Sequence, residues 1–137
     1  MSWRTDAIDK LQKYEAMRLA SVSLTKELSR LEEEACLFSQ KPPLRPVMGA
    51  DAILENFSRR QEIKRALRQT KFWVDAVESA MTILDPVEQL VLERLYIFPG
   101  IGGLEWLCQE LNIEQATVYR RRNRALQKFT VALFGEE

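Results

Sequence analysis

Arg120, Arg121, Arg122, Arg124 and Lys128 lie within nine residues of one another, just after Gln115, Ala116, Thr117 and Tyr119. Residues 115–137 hold these five cations against Glu136 and Glu137, a balance of +3. Residues 85–114 hold Arg94 against six acids, a balance of −5. The whole chain has 20 Lys and Arg against 20 Asp and Glu, so its average charge conceals this segregation. Clustered cations neutralise phosphates and release their counterions, which is the chemistry of a nucleic-acid backbone contact. The first turn of a helix lying in the major groove reaches base edges. There Gln bridges adenine, Arg bridges guanine, and the methyl of Ala or Thr meets that of thymine. On this chemistry Gln115, Ala116, Thr117, Tyr119 and Arg120 are candidate base readers. Arg121, Arg122, Arg124 and Lys128 are candidate phosphate contacts, which position without reading sequence. Tyr119 equally suits a half-buried packing position, and the arginine run alone would suit a solvated helix face.

Acting together, these side chains need a rigid helix and a partner helix to set it. The periodicity predicts a helix from Gln115 to about Phe134, with Val118, Ala125, Leu126, Phe129 and Leu133 inward. A short helix, Leu104–Leu111, precedes it with Leu104, Leu107, Cys108 and Leu111 inward, and Asn112-Ile113-Glu114 is the turn. This is the spacing of a helix-turn-helix. Cys108 is small enough for the helices to cross closely, and Ile113 plugs the turn. Asn112 tolerates positive φ, and Val118 packs the second helix back on the first. Upstream, Asp85-Pro86-Val87-Glu88 combines an N-cap, a proline at the first helical position and a reciprocal acid at the third. It opens a helix to about Phe98, with Leu90, Val91, Leu92 and Leu95 as its buried face, and Pro99–Gly103 forms a loop.

The first 84 residues read as two long helices. One runs from about Thr5 to Phe38 with a narrow stripe at Met17, Ser21, Leu24, Leu28, Leu31, Ala35 and Phe38. Ile8 and Leu11 continue it out of step. Residues 39–50, SQKPPLRPVMGA, break the helix. Asp51 then caps a second helix to about Leu84, striped by Ile53, Phe57, Ile63, Leu67, Val74, Val77, Met81 and Leu84, with Arg60 and Thr70 filling the remaining inward positions. Each helix would be about 50 Å long. The expected fold is therefore all-α: a long antiparallel, coiled-coil-like hairpin over residues 1–84, then a small helix-turn-helix domain over 85–137. A lone hairpin buries little, so a homodimer through the N-terminal helices is expected. The basic face from Arg59 to Lys71, beside Phe72 and Trp73, is either a solvated coiled-coil face or a second DNA-backbone surface. Trp73 itself is an edge residue or a partner contact.

Absences narrow the function. The chain contains no histidine, and Cys36 and Cys108 stand alone as two small, buried, reduced thiols. No catalytic constellation, metal-ligand set or cofactor motif is visible, so the reading is a non-enzyme without cofactor. No apolar run spans a bilayer, which predicts a cytoplasmic protein with no membrane contact.

With these residues in view, LDPVEQLVLERLYIF…LEWLCQELNIEQATVYRRRNRALQKF resembles region four of bacterial sigma factors. That region closes on an Ala-Leu-x-Lys-apolar tail, matched by Ala125-Leu126-Gln127-Lys128-Phe129. The chain is still more similar to small phage transcriptional regulators of the ArpU and RinA type, over about residues 84–134. The resemblance implies a phage or prophage late-gene activator that binds promoter DNA and recruits RNA polymerase. It places the promoter-reading positions on Gln115, Ala116, Thr117, Tyr119 and Arg120. The sequence departs from the pattern at Asn112, where the family has the turn glycine, and at Glu114, where it has a Ser or Thr cap. Arg121 stands at an apolar position, its stem expected to cover the core while the guanidinium reaches water. Rival readings are a small terminase subunit, which oligomerises into rings, and an anti-sigma or adaptor module working through the hairpin.

Overall fold

The computed structural model describes residues 2–40 and 46–137, and every regular element among them is helical. In order these are α1 (Trp3–Gln40), α2 (Pro46–Met81), α3 (Pro86–Leu92) continuing into a π-helical turn (Glu93–Ile97), α4 (Gly103–Leu111) and α5 (Gln115–Phe134). None of these helices is long and apolar enough to cross a membrane. The chain forms two compact units: the stretch up to Ala16 together with Trp73–Glu137, and Met17–Phe72. The sequence boundary at residue 84 falls inside the first of them.

In the Met17–Phe72 unit, every member of the α1 stripe from Met17 to Phe38 is buried or half-buried. It packs against α2 running in the opposite direction, with Leu31 level with Asn56. The stripes therefore find burial within one chain, which removes one motive for dimerisation. The expected break at 39–50 is narrower than its prolines implied. Helix α1 continues to Gln40, α2 begins at Pro46, and Asp51 lies inside α2 instead of capping it. Residues 41–45 lie outside the described residues. Proline is favoured in a first helical turn, where an N–H has no partner to lose, so Pro46 opens α2 without cost.

Two expected core residues are displaced. Ile53 and Phe57 are 42% and 50% exposed. At 100° per residue, the inward line leading back from Ile63 passes through Asn56, not Phe57. Asn56 is buried and fully bonded: Nδ2 donates to the Leu31 carbonyl at 3.0 Å and to Glu34 Oε1 at 3.3 Å, and Oδ1 accepts from Arg60 Nε at 2.7 Å. A satisfied amide can hold a core position that a polarity pattern assigns to an apolar neighbour. Cys36, one position past the inward Ala35, is exposed, not buried.

The other unit has two cores. In one, Ala7 and Leu11 of α1 meet Val77, Ala80 and Leu84, then Leu92 of α3, and Ala125, Leu126 and Phe129 of α5. In the second, Val91, Leu107 and Val118 join α3, α4 and α5. Adjacent residues Val91 and Leu92, both fully buried, thus face different cores. The out-of-step start of α1 now has a cause. Within this unit the inward residues of α1 are Ala7, Leu11 and Tyr14, so Leu11 serves this core and does not belong to the Met17–Phe38 stripe. Trp73, ambiguous in sequence, packs here: the Lys10 ammonium lies 4.2 Å from its ring centre and Phe134 meets its edge at 6.2 Å.

Candidate nucleic-acid interface

The geometry of α5 is set from upstream. The Asp85 side chain accepts from the Glu88 N–H at 2.8 Å, and Glu88 Oε1 accepts from the Asp85 N–H at 3.0 Å, completing the reciprocal cap. The Glu88 backbone N–H holds the Asp85 carboxyl below its ordinary range, against a smaller opposing effect of desolvation. Gln89 Nε2 then donates to the carbonyls of Met81 and Leu84, at 2.9 and 3.2 Å. Helix α2 stops at Met81 and not at Leu84 as the stripe implied, and its end tightens into bonds three residues apart, Thr82 N–H to the Ser79 carbonyl and Leu84 N–H to the Met81 carbonyl, both at 3.2 Å.

Beyond α3 the backbone widens into the π turn, where the Phe98 N–H bonds the Glu93 carbonyl at 2.7 Å. Gly103, the first residue of α4, lies so close to this turn that a Cβ there would sit 2.8 Å from the Arg94 carbonyl oxygen. Glycine is required by that approach. The Arg94 guanidinium covers the Trp106 ring at 4.3 Å, fixing the outer face of α4.

The turn has the expected chemistry. Asn112 is left-handed at φ 54°, and the Ile113 N–H bonds the Cys108 carbonyl at 3.1 Å. Glu114 takes the N-cap conformation without a side-chain cap bond, as expected of a poor capping residue. Val118 is fully buried against Leu107 and Val91, so the first turn of α5 projects from a rigid base.

The structure separates the nine candidate residues into groups. Thr117, Arg120, Arg121 and Arg124 line one open cleft of about 220 Å³. Arg120 Nη2 donates to Thr117 Oγ1 at 3.1 Å, and no carboxylate pairs with Arg120, Arg121 or Arg124 among the described residues. Ala116 is exposed beside this cleft. Gln115 and Tyr119 form a pair of their own, Nε2 to OH at 3.3 Å, on another flank of the helix. Arg122 is half-buried: its guanidinium lies 4.8 Å from the Tyr119 ring centre and donates to Asn123 Oδ1 at 3.0 and 3.2 Å. It also reaches Tyr96, whose phenol burial pushes up while Arg122 pulls it back. Lys128 sits 3.0 Å from Oε1 and 2.9 Å from Oε2 of Glu88, and the Glu88 side chain is 2% exposed. Arg121 is exposed, so its stem does not cover the core as its family position implied.

Two further residues belong to the outward face. Ala116, Arg120, Asn123 and Gln127 follow one another at i, i+4, i+7 and i+11, and all are exposed. Helical spacing in the sequence carries the signal for Asn123 and Gln127, whereas a pattern of charge does not, since both are neutral. The assembled face presents three guanidinium groups that no carboxylate of the described residues neutralises, with a hydroxyl and two amides beside them. It can bind anions and hydrogen-bond to base edges. No family model, curated protein or solved structure matches the chain.

Proposed function

We propose that this protein is a sequence-specific DNA-binding transcription regulator whose α4, turn and α5 act as a helix-turn-helix. The observation that carries the reading is the cleft of Thr117, Arg120, Arg121 and Arg124, unpaired cations on the helix that follows a left-handed Asn112 turn. Ala116, Thr117 and Arg120, with Asn123, are the base-reading group, and Gln115 and Tyr119 read from the adjoining flank. Arg121 and Arg124 contact phosphates. Arg122 and Lys128, held by Tyr119 and Glu88, steady the helix that carries them. In line with the sequence resemblance, the protein is a phage or prophage late-gene activator that recruits RNA polymerase. It acts as a homodimer through the exposed Leu37, Ile53, Leu54 and Phe57 of the N-terminal helices. Their exposure, and not the heptad stripes, supports the dimer.

The test is a mobility shift on phage and host promoter fragments at two salt concentrations, with sequencing of the bound fraction. One enriched promoter region and steep salt dependence support the reading, as does loss of enrichment in Arg120→Ala combined with Arg124→Ala. Absence of binding at low salt refutes it.

A further inference from the structure

A second cationic surface lies on α2, outside the site just described. Between Glu62 and Asp75 the chain has no acid, and it places Lys64, Arg65, Arg68 and Lys71 there. Ile63, Leu67, Thr70 and Val74 point inward, all buried or half-buried. Lys64, Arg68 and Lys71 then share one strip at i, i+4 and i+7, with Arg65 beside Arg68. Arg65, Arg68 and Lys71 are exposed and Lys64 is half-exposed. Arg60 begins the strip one turn earlier, tied to Asn56 at 2.7 Å.

Two cations of α1, Lys13 and Arg30, are instead neutralised by acids of their own helix. Lys13 pairs with Asp9 at 3.2 Å, and Arg30 with Glu27 and Glu34 at 2.6 and 3.5 Å. Lys64, Arg65, Arg68 and Lys71 pair with nothing among the described residues. Like charges at i, i+4 destabilise a helix, so the strip is a cost to the free protein. An anionic partner relieves that cost. A protein partner would need an apolar centre, and protein interfaces are depleted in lysine. The exposed Ile53 and Phe57 precede the strip, with the Arg60 guanidinium 5.7 Å from the Phe57 ring centre, and the exposed Phe72 follows it, so between Lys64 and Lys71 the strip carries no exposed large apolar residue. The cations rise about 4.5 to 6 Å from one to the next along the helix axis. The phosphates of one duplex strand recur about every 3.4 Å of axis. The cation spacing is wider than that of the phosphates, and the length and flexibility of the lysine and arginine side chains let each cation reach a phosphate of the backbone.

We infer that Lys64, Arg68 and Lys71, with Arg65, form a second, sequence-independent contact to the phosphate backbone of duplex DNA. The inference rests on the DNA-binding reading and extends it to the Met17–Phe72 unit. Its test is fluorescence anisotropy of the full chain on a duplex of arbitrary sequence, across a potassium chloride series. The triple variant Lys64→Gln, Arg68→Gln, Lys71→Gln is compared with Lys13→Gln, Arg30→Gln, which removes two cations already paired. Circular dichroism confirms equal helicity. Each phosphate contact contributes about 0.9 to the slope of log affinity against log salt. The triple variant should lower that slope by about two to three, and the control should leave it unchanged. An unchanged slope in the triple variant overturns the inference while leaving the DNA reading intact. So does a change confined to oligomeric state, which would make the strip a protein contact. If Arg120→Ala with Arg124→Ala binds like the parent and only the triple variant fails, the strip stands and the reading of α5 falls. No binding by the parent chain at any salt overturns both.

Discussion

The ion pair between Glu88 and Lys128 is lopsided, and that asymmetry yields a quantitative prediction. The Glu88 side chain is 2% exposed, whereas the Lys128 side chain is 45% exposed. Substituting Lys128 by Met removes the cation and leaves the carboxylate buried, with the Asp85 N–H still donating to it. Stripping one partner from a fully buried pair costs about 3–5 kcal/mol. Lys128 is half in water, so its attraction is partly screened, and the expected cost is about 2–4 kcal/mol. Glu88→Gln keeps the volume and the acceptor for the Asp85 N–H, and frees an ammonium that can turn to solvent. Its expected cost is about 1 kcal/mol. The double variant should resemble Glu88→Gln alone, a coupling of about 2–4 kcal/mol, equal to the whole cost of Lys128→Met. Urea denaturation followed by circular dichroism measures all three. If Lys128→Met costs under about 0.5 kcal/mol, or the two changes simply add, the carboxylate does not depend on Lys128. Lys128 would then be free for phosphate.

Other consequences follow from the frame around α5. The Asp85 carboxyl is held below its ordinary range by the Glu88 backbone N–H. Its stabilising effect is therefore complete above the usual Asp value of about 3.9 and is lost as pH falls through the lower folded value. Asp85→Asn should reduce the loss of stability between pH 4 and pH 2 in acid titrations, and an unchanged acid limb would contradict this. Gly103→Ala places a methyl 2.8 Å from the Arg94 carbonyl oxygen. It should lower the thermal midpoint, whereas Gly100→Ala, with nothing within 4 Å, should not by clash. Equal midpoints for the two variants would show that the π turn yields.

The spread of the basic residues changes how the interface is read. Five cations in nine residues look like one patch, but two of the five are engaged by neighbours at their backs. Lys128 joins α5 to α3 through Glu88, and Arg122 covers the Tyr119 ring within α5 and reaches Tyr96 of the π turn. The three that remain open, Arg120, Arg121 and Arg124, share one cleft with Thr117. A substitution scan that treated all five alike would mix loss of contact with loss of α5's support.

Local features were legible in the sequence wherever short-range physics decides them. The Asp85 cap, the Asn112 turn, the limits of α5 and the inward Val118 each depend on residues a few positions apart, and each is where periodicity and capping rules put it. The α1 stripe from Met17 to Phe38 was legible for the same reason. Tertiary structure decided the rest. That Ala7 and Leu11 pack with Phe129, that Asn56 and not Phe57 lies inward, and that Glu88 captures Lys128 are contacts between residues 25 to 122 positions apart. A hydrophobic pattern says that a face will be buried, but not against what. A charge pattern says that cations cluster, but not which of them a distant carboxylate will neutralise. The pairings that separate a free guanidinium from an engaged one arise only when the chain closes on itself.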